Sequence, residues 1–114
     1  MASDLTLRQL LLDERASTAA QLAALTRSFD DIVAASELVN TDDEHDPEGA
    51  TIAFERAQVA ALRDAAEQHL ADIDLALARA DAGERISCEQ CDGPIGNERQ
   101  AVLPATRRCV DCAI

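Results

Sequence analysis

The sequence predicts an all-α fold, an antiparallel coiled-coil helical hairpin followed by a small cysteine-rich base. Hydrophobic residues make up 47% of the 114-residue chain but aromatic ones only 2%, so its apolar content is mainly Ala and Leu, which favours helix over sheet. Two long segments carry apolar residues at helical spacing with only a short polar stretch between them. All four cysteines follow the second of these segments. Four Gly and three Pro are too few to punctuate the turns of an all-β domain. At 12.2 kDa there is room for one small domain and not for two ordinary ones.

The first helix is expected over about 4–39. Leu22, Leu25, Phe29 and Ile32 recur at spacings of 3, 4 and 3, and Val39 stands one heptad beyond Ile32, which makes one apolar stripe. Upstream, Leu5, Leu7, Leu10, Leu11 and Leu12 keep the segment apolar but blur its register.

The second helix is expected over about 47–82. Ile52, Val59, Ala66, Ile73 and Ala80 stand seven residues apart, with Leu62, Leu70 and Leu77 between them, a coiled-coil period. Folding two such helices back on each other buries both stripes. The 36 residues from Pro47 to Ala82 would form an arm on the order of 50 Å long at the helical rise.

The acidic turn between them, about 40–46, ends in Asp46, Pro47 and Glu48, a sound helix start. A capping oxygen, a preset φ and a negative charge at the positive end of the helix dipole coincide there. Asp42, Glu44 and Asp46 alternate as in a calcium loop. However, Pro47 stands where that loop needs Gly, and Ala53 where it needs a bidentate Glu, so a calcium site is not expected. The turn serves either as a charged, solubilising tip or as a group presented to a basic or metal-containing cavity in another macromolecule.

Gly83 suits the left-handed conformation that follows a helix end. It divides the chain into a helical hairpin, 1–83, and a cysteine-bearing base, 84–114. In that base, Cys88 and Cys91 are separated by 17 residues from Cys109 and Cys112. Two C-x2-C knuckles at this spacing are the ligand pattern of a tetrahedral four-cysteine zinc site, so the base is read as a C4 zinc finger holding Zn2+. A 31-residue tail with no core pattern of its own is ordered poorly by burial alone, whereas a structural zinc supplies roughly 10–16 kcal/mol of apparent stabilisation. A redox C-x-x-C would need a βαβ context that is missing before Cys88. Four cysteines also leave no open position for metal catalysis.

The charge of the chain narrows its partners. Net charge is −12, and all 10 basic residues are Arg. Such a chain is repelled by phosphate backbones, and it has no aromatic platform for bases. Within the base, Arg85, Arg99, Arg107 and Arg108 face five acids, Glu84, Glu89, Asp92, Glu98 and Asp111, so specific DNA binding is not expected. Arg107 and Arg108 are candidates for pairing with a protein partner, for solvation, or for serving the nearby thiolates. His45 and His69 have no nucleophile or phosphate loop beside them, so no enzyme is expected; His69 reads as a partly buried helix residue. Met1 to Arg8 shows no leader pattern, and no stretch reaches the roughly 18 apolar residues of a membrane span. A soluble, cytoplasmic chain is the expectation.

The run Cys88-Glu89-Gln90-Cys91-Asp92-Gly93-Pro94-Ile95-Gly96, with Arg99, Pro104 and Cys109-Val110-Asp111-Cys112, resembles the zinc segment of the DksA/TraR family of bacterial transcription factors. The resemblance spans roughly Asp46 to Cys112. It implies a protein that binds RNA polymerase, with the zinc base at the rim of the secondary channel and the coiled-coil tip directed toward the active centre, modulating initiation. The family's tip motif, two Asp residues and a following Ala, falls on Asp46, Glu48 and Ala50, with Glu as the second acid and the acids one residue closer together. The alternative from another class is a non-enzymatic, zinc-stabilised adaptor or structural coiled coil with a different protein partner.

Overall fold

A computed structural model describes residues 4–38, 47–84 and 86–113. Two long helices, α1 (Asp4–Leu38) and α2 (Pro47–Asp81), pack antiparallel as a hairpin, and a short helix, α3 (Asn97–Val102), lies between the cysteine pairs. The described residues contain no strand; Ser87 and Pro94 form an isolated antiparallel bridge. The expected turn over 40–46, with His45 and Asp46, lies outside the described residues, as does Val39.

α2 ends as its sequence requires. Gly83 adopts φ +71°. The Glu84 N–H donates to the Arg79 carbonyl (3.0 Å) and the Gly83 N–H to the Ala80 carbonyl (3.1 Å). These two bonds make a Schellman cap, which satisfies carbonyls that the helix end would leave bare.

The chain forms two compact units. The first joins residues 1–18 to 69–114. Its core is Leu7, Leu11, Ile73 and Ala105, with Ala76, Leu77 and Ile86 packed against it. Leu11 and Ile73 are both 0% exposed. The blurred leucine register of α1 is thereby resolved: Leu7 and Leu11, one turn apart, face inward, while Leu10 and Leu12 are half-buried. Burial of each such side chain contributes about 1.5–3 kcal/mol. Exposed pairs mark the antiparallel register on the outside: Arg8 Nε to Asp81 Oδ1 (2.9 Å) and Arg15 Nε to Asp74 Oδ1 (2.6 Å). His69 is half-buried, as expected, with Nε2 2.9 Å from Glu14 Oε1.

The second unit spans residues 19–68. Leu22, Leu25, Phe29 and Ile32 on α1, and Ile52 and Val59 on α2, are half-buried, and Ala66 is buried. Leu62 departs from the expected seam and is 49% exposed. The reason is local: the next residue, Arg63, takes the inward position and lays its guanidinium over the Phe29 ring, 4.5 Å from the centroid, in a cation–π contact.

Candidate metal centre

Each cysteine pair is held on a turn built by its own backbone. In the first, the Cys88 N–H donates to the Gly93 carbonyl (2.8 Å) and the Asp92 N–H to the Cys88 carbonyl (2.9 Å). Closing this turn puts Asp92 at φ +60°, a left-handed conformation that Asp tolerates better than most side chains. Ser87 Oγ donates to Asp92 Oδ1 (3.2 Å). Gly93 leaves room for sulfur, since a Cβ there would stand 3.4 Å from Cys91 Sγ. In the second pair, the Cys112 N–H (3.2 Å) and the Ala113 N–H (3.0 Å) both donate to the Cys109 carbonyl.

The intervening segment returns the chain. Gly96, at φ +98°, leads into α3, and the Leu103 N–H donates to the Arg99 carbonyl (2.8 Å) at the end of that helix. Pro104 and Ala105 then bury themselves in the first unit. Ile95 packs with Cys88 and Cys109, and Ile86 touches both this cluster and the leucine core. The cysteines and the helix ends therefore share one packed unit.

All four cysteines are free thiols, and their Sγ atoms lie within 4.8 Å of one another. Cys91 and Cys109 Sγ are 3.7 Å apart. Tetrahedral coordination with metal–sulfur bonds of about 2.3 Å places sulfurs about 3.8 Å apart, so the set has the size of a four-thiolate cage. Cys88 and Cys109 are buried, Cys112 is half-buried and Cys91 is exposed. The four cysteines are positioned to bind a metal ion, and an all-thiolate tetrahedral set is the donor set of structural zinc.

The acid–base character of the cluster calls for a cation. Backbone hydrogen bonds from Cys109 and Cys91 favour the Cys88 thiolate and bring its pKa down to about 6. Cys112 is pushed up to about 12, because the sulfurs of Cys109, Cys91 and Cys88 surround it. At Cys91, the backbone of Gly93 favours the thiolate, but the sulfurs of Cys88 and Cys109 raise the pKa overall. A negative charge is favoured at Cys88 and resisted at Cys91 and Cys112, a penalty that a divalent cation removes.

The sequence-predicted tip residues fall elsewhere. Glu48 stands in the first turn of α2, Ala50 is exposed on the same helix, and Asp46 lies outside the described residues. Arg107 and Arg108, for which the sequence leaves several roles open, pair within the chain. Arg108 Nε is 3.1 Å from Glu89 Oε1, and Arg107 Nε is 3.7 Å from Glu89 Oε2. Arg107 Nη2 also approaches Asp72 Oδ1 of α2 at 3.8 Å. Sequence reasoning missed Glu89. The available signal was an acid between the first two cysteines matched by a basic pair next to the third.

Comparison with known proteins agrees with this geometry. Residues 83–114 match the family model for the prokaryotic dksA/traR C4-type zinc finger. The fold is similar to that of the transcription factor DksA2 from Pseudomonas aeruginosa, with a TM-score of 0.77 and 22% identity over 96% of this chain and 79% of that one. A sequence search of curated proteins gave no match. Among the described residues, no helix is long and apolar enough to cross a membrane.

Proposed function

We propose that this chain is a cytoplasmic transcription regulator that binds RNA polymerase at its secondary channel and modulates initiation through the tip of its helical hairpin. The observation that carries this reading is a conjunction: a dksA/traR-type C4 finger at 83–114 on a chain whose fold is that of a DksA2 transcription factor. Cys88, Cys91, Cys109 and Cys112 hold Zn2+, which supplies folding free energy to the base. Four thiolates complete a tetrahedral shell, so this centre offers no position for a metal-bound water and its role is structural. Asp46, Glu48 and Ala50 act at the tip. The acidic chain, at −12, suits a partner with basic surfaces and disfavours direct DNA contact.

The test is transcription in vitro with purified polymerase, comparing the zinc-loaded wild type with an Asp46→Asn, Glu48→Gln double variant, alongside a pull-down with core enzyme. The expected result is binding by both and an effect on initiation from the wild type alone. Absence of binding by either points instead to an adaptor with another protein partner.

A further inference from the structure

The Glu89–Arg107–Arg108 cluster joins the two halves of the metal centre, and its position is unusual for a surface ion pair. Glu89 lies inside the first knuckle, between Cys88 and Cys91, and the two arginines immediately precede Cys109. One carboxylate oxygen serves each arginine, at 3.1 Å for Arg108 and 3.7 Å for Arg107. The backbone repeats the link, because the Glu89 N–H donates to the Arg107 carbonyl at 2.8 Å. The Arg108 carbonyl in turn accepts from Arg99 Nε (2.8 Å), on α3, and from Thr106 Oγ1 (3.2 Å). Finally, Arg107 reaches Asp72 on α2. Isolated exposed ion pairs contribute little, but this exposed carboxylate receives two arginines and sits on a backbone bridge between the two knuckles.

We propose that Glu89, with Arg107 and Arg108, is an inter-knuckle clamp: a set of positioning residues that hold the two cysteine pairs at coordinating distance and so set the affinity of the centre for zinc. The clamp acts on the frame that carries the sulfurs. A rival role for the same arginines is direct neutralisation of the thiolate charge, and the two roles predict opposite signs at Glu89. As a clamp, Glu89 strengthens zinc binding. If the arginines only neutralise thiolates, Glu89 is a competing negative charge, and its removal leaves affinity unchanged or raises it.

The experiment is a competition titration of the full-length chain with zinc and a chromophoric chelator, with helicity followed by circular dichroism. The inference rests on the zinc reading of the four cysteines, so wild type and Cys88→Ser are measured first; a wild type that binds no zinc refutes that reading itself. Given binding, Glu89→Gln and Arg108→Gln are each expected to weaken affinity about tenfold, the scale of outer-shell effects on metal sites. The double variant is expected to fall no further than about twofold below Glu89→Gln alone, since that change already removes the Arg108 pairing. Glu89→Asp, which keeps the charge, retains most of the affinity. Arg8→Gln, which breaks an exposed pair remote from the cysteines in sequence, leaves affinity unchanged. The clamp is overturned if Glu89→Gln binds zinc as tightly as the wild type or more tightly, or if the two single losses add fully in the double variant.

Discussion

Asp92 occupies φ +60° so that its own N–H can close the first knuckle. Asp92→Gly is expected to leave the zinc-loaded chain as stable or slightly more stable, whereas Asp92→Ala costs about 1 kcal/mol, because Ala has neither glycine's freedom nor the bond from Ser87. Chemical denaturation of the loaded proteins measures both. The cysteines themselves set a pH dependence. Zinc binds thiolates, and in the metal-free centre Cys88 ionises readily, near pKa 6, while Cys112 holds its proton to about 12. Zinc uptake therefore releases protons at neutral pH, and affinity rises with pH and falls as acid protonates the set. Competition titrations at pH 6, 7 and 8 are expected to show steadily tighter binding in that order.

At the scale of the elements, much was legible because helices announce themselves by period. The composition and the seven-residue line through Ile52, Val59, Ala66 and Ile73 point to an all-α hairpin, and Ala66 and Ile73 are buried in it. The C-x2-C spacings likewise single out the four residues whose sulfurs cluster within 4.8 Å. Less legible were details decided by packing between segments. Contact with Ile73 and Ala105 takes Leu7 and Leu11 inward, while Leu10 and Leu12 stay half-buried, a choice that their spacing in the sequence leaves open. Leu62 fits the apolar pattern yet is exposed, because a charged neighbour, Arg63, finds an aromatic partner on the inner side. Leu11→Ala is accordingly expected to cost about 2–5 kcal/mol in thermal or chemical unfolding, and Leu62→Ala well under 1 kcal/mol.

For the molecule as a whole, the division of the chain follows packing as well as sequence order. The unit that contains the cysteines also contains residues 1–18 and 69–82, because Ala105 and Ile86 pack into the leucine core of the helix ends. Glu89 and Arg107 were not legible as partners for the same reason: their pairing is made only once the segment returns through α3. Removal of zinc with a chelator is therefore expected to loosen residues 1–18 and 69–114 together, while residues 19–68 keep their helicity. Amide hydrogen exchange with and without chelator reads this directly, as faster exchange in the first unit and unchanged exchange in the second.

The proposed function requires the hairpin tip to reach the interior of RNA polymerase. Its most direct test places a photo-crosslinking amino acid at Ala50, which is exposed on α2, and illuminates the zinc-loaded protein with purified RNA polymerase core enzyme. Crosslinks to residues lining the secondary channel are expected, lost when an excess of unmodified protein competes. Crosslinks confined to other surfaces of the polymerase, or none at all from a correctly folded protein, would contradict the proposed function.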